Sequence, residues 1–405
     1  MANSFANTSS AGAAVGVLKN YYAGPIVSQF NDEIPFYREV EKGKEKWSGL
    51  QVVRPVKVRR NPGIGATSDG GILPVIGTQT TVQAQIGAKF NYLRFGMTGP
   101  MIKASQGDKG AFASIMEYEM EQGLLDHKTD FNRQLFWDGT GDVATVSANA
   151  VGSLTITVTG RESSEDGSKF LDVGQVIDVY SGSTLVASSV TITAISGTTT
   201  ATLTLSAPVT VSANDIVVRS GAGLSNEVQG ILTCLDGGTS TIFNVNRATY
   251  TAFQGNSVSA SGGALTLSLL KQTINLMRSR GGGKLGALYS DFDTERFYEK
   301  LLIADKRYVG KVKGDGTFAS KDENYLEYAG VPWVPDKDCP QRVFMLDPKS
   351  WKKYVLSELE WADETGSPMI AQTSADAFEV RLRHFANLFC EKPSANAVLK
   401  SYISP

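Results

Sequence analysis

The chain has 405 residues, of which 41% are hydrophobic and 20% are charged, and its formal net charge is -2 at pH 7. This composition supports a sizeable core in two or three domains and lacks the positive excess of a nucleic-acid-binding protein. The three cysteines lie far apart in sequence, which favours a reducing compartment over a disulfide framework or a zinc site. The sequence opens without a secretory leader and contains no apolar run approaching about 18 residues, so no membrane span is expected.

Residues 1–48 are expected to form an N-terminal arm, and residues 49–95 are expected to form two long strands joined by an irregular tip. Apolar side chains share one parity in each strand, namely Leu50, Val52, Val56 and Val58 in the first and Val82, Ala84, Ile86, Ala88, Phe90 and Tyr92 in the second. A period of two predicts strands that are buried on one face. Pro55 restricts the first strand to the edge of a sheet.

A ribbon of two strands is marginal in water on its own, so its apolar face needs a cover. We expect that cover to be a neighbouring copy of the same chain, because nothing apolar is supplied nearby in sequence. The candidate contacts between copies are Arg54, Lys57, Arg59, Arg60, Ile86 and Phe90. Contact of the basic residues with DNA remains an alternative, although the acids Glu39, Glu41 and Glu45 close by favour a solvated face or a subunit contact.

Residues 108–137 predict one long amphipathic helix that begins at Asp108 and is stopped by Gly139 and Gly141. Its apolar positions recur every three or four residues, and the candidate packing residues are Phe112, Met116, Met120 and Leu124. A helix of about 30 residues would be roughly 45 Å long, so its stripe must rest on something extended.

The composition then changes to Thr, Ser, Val and Ala over residues 145–222, with short strands and frequent turn signals. This pattern predicts a small all-β barrel or sandwich inserted into the chain. Residues 223–375 alternate irregularly between helices and strands, and residues 376–405 contain further strands, so the fold class is α+β.

No segment carries a convincing catalytic or metal-binding pattern. The two histidines, His127 and His384, have no orienting neighbour in sequence, and no HExxH, CxxC or EF-hand spacing occurs. "DGTGD" (138–142) is best explained by Asx turns at a helix end, and "RSRGGGKLG" (278–286) by a helix C-cap rather than a phosphate loop. We therefore expect no enzyme activity, no cofactor and no metal.

The order of these elements resembles the major capsid proteins of tailed bacteriophages, which have the Hong Kong 97-type fold. The most specific match is "EYAGVPWVPDKDCPQRVFMLDPKSW" (327–351), which is similar to a recurring Gly-x-Pro-hydrophobic strand followed by a strand and an Asp-Pro step. The resemblance implies an N-terminal arm (1–48), an extended loop (49–95), a spine helix with part of a peripheral domain (96–144), an inserted barrel (145–222), an axial domain (223–375) and C-terminal strands that complete the peripheral domain (376–405).

The resemblance also implies a function: self-assembly into the pentamers and hexamers of an icosahedral virion capsid around double-stranded DNA, within the host cytoplasm. The implied partners are copies of the chain itself, a separately encoded scaffolding protein or none, a portal and an optional decoration protein, with nonspecific DNA contact. The archetype of the family joins Lys to Asn between subunits. Lys57 is a conceivable donor for such a crosslink, but no acceptor can be identified, so a non-crosslinked shell is expected. An encapsulin-type compartment and a phage tail or surface adhesin remain as alternatives.

Overall fold

The computed structural model describes residues 34–100, 109–162, 165–304, 326–362, 369–371 and 375–405. Its helices are α1 (Pro35–Glu39), α2 (Lys109–Phe136), α3 (Ile231–Leu235), α4 (Leu267–Gly281) and α5 (Phe292–Ala304). The strands in the first half of the chain are β1 (Glu41–Lys42), β2 (Gln51–Arg59), β3 (Thr80–Gly87), β4 (Lys89–Thr98), β5 (Asp142–Val146), β6 (Ala150–Thr159), β7 (Val176–Ser181), β8 (Thr184–Ser196) and β9 (Thr200–Val211). The remaining strands are β10 (Ile216–Arg219), β11 (Thr241–Ile242), β12 (Val245–Asn246), β13 (Asn256–Ser259), β14 (Ala287–Ser290), β15 (Glu327–Tyr328), β16 (Val331–Pro335), β17 (Val343–Leu346), β18 (Trp351–Trp361), β19 (Met369–Ala371), β20 (Ala377–Cys390) and β21 (Ala397–Lys400).

The mixed α+β class is confirmed, and the chain divides into two compact units. The first unit contains the described parts of residues 1–52, 87–133 and 353–387. Its sheet has the order β1-β18-β20-β19, and β4 also pairs with β20, antiparallel from Thr98 opposite Ala377 to Lys89 opposite Ala386. Helix α2 approaches this sheet closely, because a Cβ atom added at Gly123 would lie 2.9 Å from Leu93 Cδ2.

The second unit contains a six-stranded sheet with the order β13-β21-β17-β14-β16-β15. Helices α4 and α5 contribute Leu270, Ile274, Met277, Phe297 and Tyr298 to the core that includes this sheet. Helix α4 begins where the Thr266 side chain accepts a hydrogen bond from the Leu269 amide, and it ends at Gly282, which has a φ of 62°. The helix C-cap predicted for this segment is therefore present, and only glycine adopts that backbone angle without strain.

Three strands depart from the expected domain assignment. Strand β21 was expected with the C-terminal strands of the peripheral domain, yet it joins the sheet of the second unit. Strands β18 and β19 fall inside the range 223–375 expected for the axial domain, yet both pair with β20 in the first unit. Which unit a strand belongs to depends on its pairing with distant segments, and such pairing is not visible in local sequence patterns.

Residues 142–219 form a closed barrel with the strand order β10-β5-β6-β9-β8-β7. Along the longer strands, alternate residues point inward and are buried, for example Ile156 and Val158 on β6 and Leu203 and Leu205 on β9. The period-two pattern of the sequence therefore builds a core that this module supplies for itself.

A buried cluster of charges lies beside the barrel within the second unit. The guanidinium group of Arg161 lies 3.7 Å above the ring of Trp137, and its Nη1 donates to the backbone carbonyl of Asp142. The carboxylates of Asp142 and Glu165 lie within 3.9 Å of the same guanidinium. Arg342, which precedes β17, forms an ion pair with Glu162. These contacts connect the barrel strands to the sheet of the second unit.

Among the described residues, strands β2 and β3 pair only with each other, as a two-stranded sheet that we call the ribbon. The ribbon is shorter than expected, because β3 ends at Gly87 and β4 begins at Lys89 in a different sheet. The alternation of apolar residues continues across this break, so the sequence alone shows no boundary there. No helix among the described residues has the length and hydropathy needed to cross a membrane.

Candidate assembly surface

The base of the ribbon is covered by the chain itself, which corrects the expectation of a neighbouring copy at this point. Five of its inward-facing side chains are buried within one chain, namely Val52, Val56, Val58, Ala84 and Ile86, and Val82 is half-buried. In the second unit, the Gln85 amide donates a 2.9 Å hydrogen bond to the Phe243 carbonyl, and Phe243 packs edge-on against Phe389. A fully buried Ile86 is not available to a second copy.

Two further candidate contacts are also used differently from the expectation. Arg54 forms a 2.7 Å ion pair with Glu391 of the same chain. Phe90 lies on β4 rather than on the ribbon, where it packs edge-on against Phe385 with a centroid distance of 5.0 Å. Both cases depend on residues about 300 positions away, which explains why a local reading of the sequence misplaced them.

The outward face of the ribbon is basic. Lys57 and Arg59 alternate with the buried Val56 and Val58 and are exposed, and Arg60 follows them, also exposed. No acidic residue occurs between residues 47 and 68. These three side chains remain candidate contacts between copies.

The tip of the ribbon, residues 60–79, has irregular backbone and displays large apolar side chains. The exposed fractions are 82% for Ile64, 96% for Ile72, 76% for Leu73, 86% for Val75 and 96% for Ile76. Single exposed apolar residues are common on protein surfaces, but a group of five within thirteen residues marks an interaction surface. The tip is therefore the strongest candidate for a contact with another molecule.

The long helix predicted for residues 108–137 is confirmed as α2, from Lys109 to Phe136. Met120 and Leu124 are buried, 5% and 6% exposed, so these two candidate packing residues lie in the core of the first unit. Phe112 and Met116 fall on the helix, but their side chains lie outside the described residues.

The two histidines, unremarkable in the sequence, meet in the first unit. His127 on α2 and His384 on β20 have ring centroids 6.2 Å apart, and Phe131 packs against His384. The hydroxyl of Tyr37 lies 3.4 Å from His384 Nε2. Burial lowers the pKa of His127 to about 4 and that of His384 to about 3. The pKa of His384 is lowered further by repulsion from His127 once that ring is protonated and by the charge of Lys353. Both rings are neutral at pH 7 and pack as part of the core.

The described residues contain no group of three or more His, Cys, Asp or Glu side chains that could hold a metal ion. At "DGTGD", the Thr140 hydroxyl donates to Asp138 and lies 2.8 Å from Asp142, and the Thr140 amide also donates to Asp138, which is an Asx turn. Cys234, Cys339 and Cys390 are all free and buried.

No protein-family model matches this sequence, and comparison with curated proteins gives no match. Among solved structures, the chain is similar to one from the cyanophage A-1(L) capsid asymmetric unit, with 11% identity, 90% of each chain covered and a TM-score of 0.54. It is also similar to the capsid of a native GTA particle (9% identity, 91% of each chain, TM-score 0.48) and to the holo-SrpI encapsulin complex of Synechococcus elongatus PCC 7942 (13% identity, 43% of this chain and 56% of that one, TM-score 0.30). The chain thus shares its fold with the cyanophage capsid chain over nine tenths of both.

Proposed function

We propose that this chain is the structural subunit of an icosahedral shell of the Hong Kong 97 type, a major capsid protein that encloses the double-stranded DNA of a tailed phage. The fold shared with the cyanophage capsid chain supports this proposal. In this reading the ribbon is the extended loop, α2 is the spine helix and the barrel is an inserted domain. The protein is located in the virion capsid and assembles in the host cytoplasm.

The observation that carries the proposal is the apolar tip of the ribbon. Fully burying one Ile or Leu side chain contributes about 1.5–3 kcal/mol, so five exposed residues of this kind represent a large unused binding capacity. A soluble enzyme gains nothing from such a tip. A subunit of a closed shell gains a contact with the next copy, and symmetry repeats that contact throughout the shell.

The remaining assignments follow from the same function. Subunits form pentamers and hexamers, and a scaffolding protein, a portal and a decoration protein are partners of the shell. Lys57, Arg59 and Arg60 contact a neighbouring copy beside the tip, and DNA is held nonspecifically by a chain whose net charge is only -2. The packed subunits rearrange as DNA enters. Such a change occurs where an interface between rigid elements has two discrete arrangements.

Electron microscopy of the purified protein tests this function directly, and wild-type protein is expected to form closed shells. Replacing residues 61–79 with an Asn-Gly turn between β2 and β3 should leave a folded chain that forms no shells, because the turn preserves the hairpin while the apolar tip is lost. Normal shells from this deletion, or no shells from wild type under any condition, would contradict the proposal.

A smaller change gives a matched comparison. The triple substitution Ile72→Ser, Leu73→Ser and Ile76→Ser should abolish shells without changing the melting temperature, because these side chains contact solvent in the single chain. Ile403→Ser, at a residue that is 57% exposed elsewhere in the second unit, should assemble normally. The contents of the particles, DNA or protein, distinguish a capsid from an encapsulin-type compartment.

A further inference from the structure

Three adjacent strands of the barrel present an outer surface without charge, which we call the neutral face. It belongs to β6, β9 and β8, and β9 lies between the other two. Residues 143–160 and 179–214 contain no Asp, Glu, Lys, Arg or His, although 20% of the whole chain is charged. Solvated faces of small β modules normally carry charges of both signs, which keep them soluble. Their absence from three neighbouring strands calls for a reason.

The neutral face is regular and partly apolar. The strand register places threonines opposite each other on β6 and β9, in the pairs Thr155–Thr204, Thr157–Thr202 and Thr159–Thr200. These threonines alternate with the buried residues of the barrel core and therefore face outward. At the other end of the same strands lie exposed apolar residues, Val151 (82%) and Leu154 (51%) on β6 and Leu185 (47%) and Val186 (39%) on β8.

This composition excludes several classes of partner. Nucleic acid requires basic side chains, and a charged protein surface requires complementary charges, neither of which is present. Recognition by base or ring stacking uses aromatic side chains, and residues 143–160 and 181–214 contain none. A closed barrel has no free edge to which a strand could be added. An uncharged protein surface is the remaining partner.

A second copy of the same face satisfies this requirement. Two identical surfaces that meet across a symmetry axis bring identical side chains close together near that axis, so a charge there would face its own kind and cost free energy. A face without charges avoids that cost. Three strands of about ten residues each cover roughly 500 Å², at about 3.3 Å per residue and about 4.8 Å between strands. Because a stable interface buries about 800 Å² per partner, such a contact cannot hold two free chains together.

We propose that the neutral face is a contact between the barrels of two copies of this chain, formed only when other interfaces hold those copies in a shell. The inference rests on the proposed function, since the contact is too small to form without it. The barrel then acts as a clasp between copies and does not need a different protein as its partner.

Charge substitutions on the neutral face test the inference in shells assembled from purified protein. The variant Val151→Lys/Val186→Lys and the variant Val151→Glu/Val186→Glu each place like charges against each other when two copies meet. Each is expected to raise the protein concentration required for shell formation by about tenfold, the equivalent of ~1.4 kcal/mol. An equimolar mixture should require a lower concentration than either variant alone, because contacts in which lysine faces glutamate then replace like-charged ones.

The control is Val173→Lys, which adds a charge to an exposed barrel residue (63%) outside β6, β8 and β9 and should assemble as wild type. Melting curves establish that each variant is folded, and the single Val151→Lys and Val151→Glu variants replace any double variant that is not.

Variants that assemble at the wild-type concentration would overturn the inference. Weakened assembly that mixing does not improve would overturn it as well, since the partner would not be a second copy. Absence of shells from the wild type would instead overturn the proposed function, and this inference with it.

Discussion

The barrel and the ribbon are both built from alternating apolar residues, but they complete their apolar faces in different ways. The barrel closes on itself, and the inward residues of its six strands cover one another. The ribbon has only two strands, so its base is covered by distant parts of the same chain and its tip is covered by none of the described residues. Alternation in a sequence therefore predicts a strand, but what covers the strand depends on how many neighbours it finds.

The largest expected effect concerns how firmly the barrel is attached to the rest of the second unit. Arg161→Leu removes a guanidinium group that is 2% exposed. Asp142 then loses its buried counter-charge, and Glu165 keeps only Lys169, whose side chain is 29% exposed. Breaking a buried ion pair in this way costs about 3–5 kcal/mol, which denaturant unfolding monitored by circular dichroism would detect. Arg296→Leu, which breaks an exposed pair with Asp293, is the control and should change stability by less than about 1 kcal/mol.

The next effect concerns how the stability of the first unit, in contrast to that of the barrel, depends on pH. Burial lowers the pKa of His127 to about 4 and that of His384 to about 3, so below pH 6.5 the unfolded chain binds more protons than the folded one. The stability that the two neutral rings contribute is therefore fully present above pH 6.5 and decreases as the pH falls toward these values, by roughly 2 kcal/mol per histidine at pH 5. Glu39, whose pKa is raised to about 8 by burial, opposes this trend. Asp130 opposes the shift of His127, while Lys353 strengthens that of His384.

The barrel contains no histidine, so this acid-dependent loss should be confined to the first unit. Hydrogen exchange, corrected for its intrinsic pH dependence, should show faster opening of β20 at pH 5 than at pH 7, while β9 changes little. The variant His127→Gln/His384→Gln should remove most of that difference. An equal response of β20 and β9, or an unchanged response in the variant, would show that the histidine pair is not the cause.

The smallest effect is that of removing one methylene group, at the base or at the tip of the ribbon. Ile86→Val at the fully buried base should reduce the free energy of unfolding by about 1 kcal/mol. Ile76→Val at the tip, which is 96% exposed, should leave the free energy of unfolding unchanged in the unassembled chain. Similar losses at both positions would mean that the tip is packed against the chain in solution.

Local patterns predicted much of the fold. The 3.6-residue period gave α2 to within a residue at each end, and the Thr-rich alternating segment predicted the all-β module that the closed barrel now represents. The same patterns missed the break between β3 and β4 at Ala88, because the alternation of apolar and polar residues continues through it. They also missed the cover of the ribbon base and the meeting of His127 and His384, because these contacts join segments far apart in sequence.

In the shell proposed above, copies of the chain would be crowded together, and the closed ring of the barrel would then have a further consequence. A sheet with open edges would expose unpaired amides to hundreds of identical sheets nearby, and these could join irreversibly into fibrils. Because every strand from β5 to β10 already has two neighbours, adjoining modules touch through side chains alone. In the proposed shell, such contacts would separate and re-form as the shell changes its dimensions, and no strand would have to leave its place.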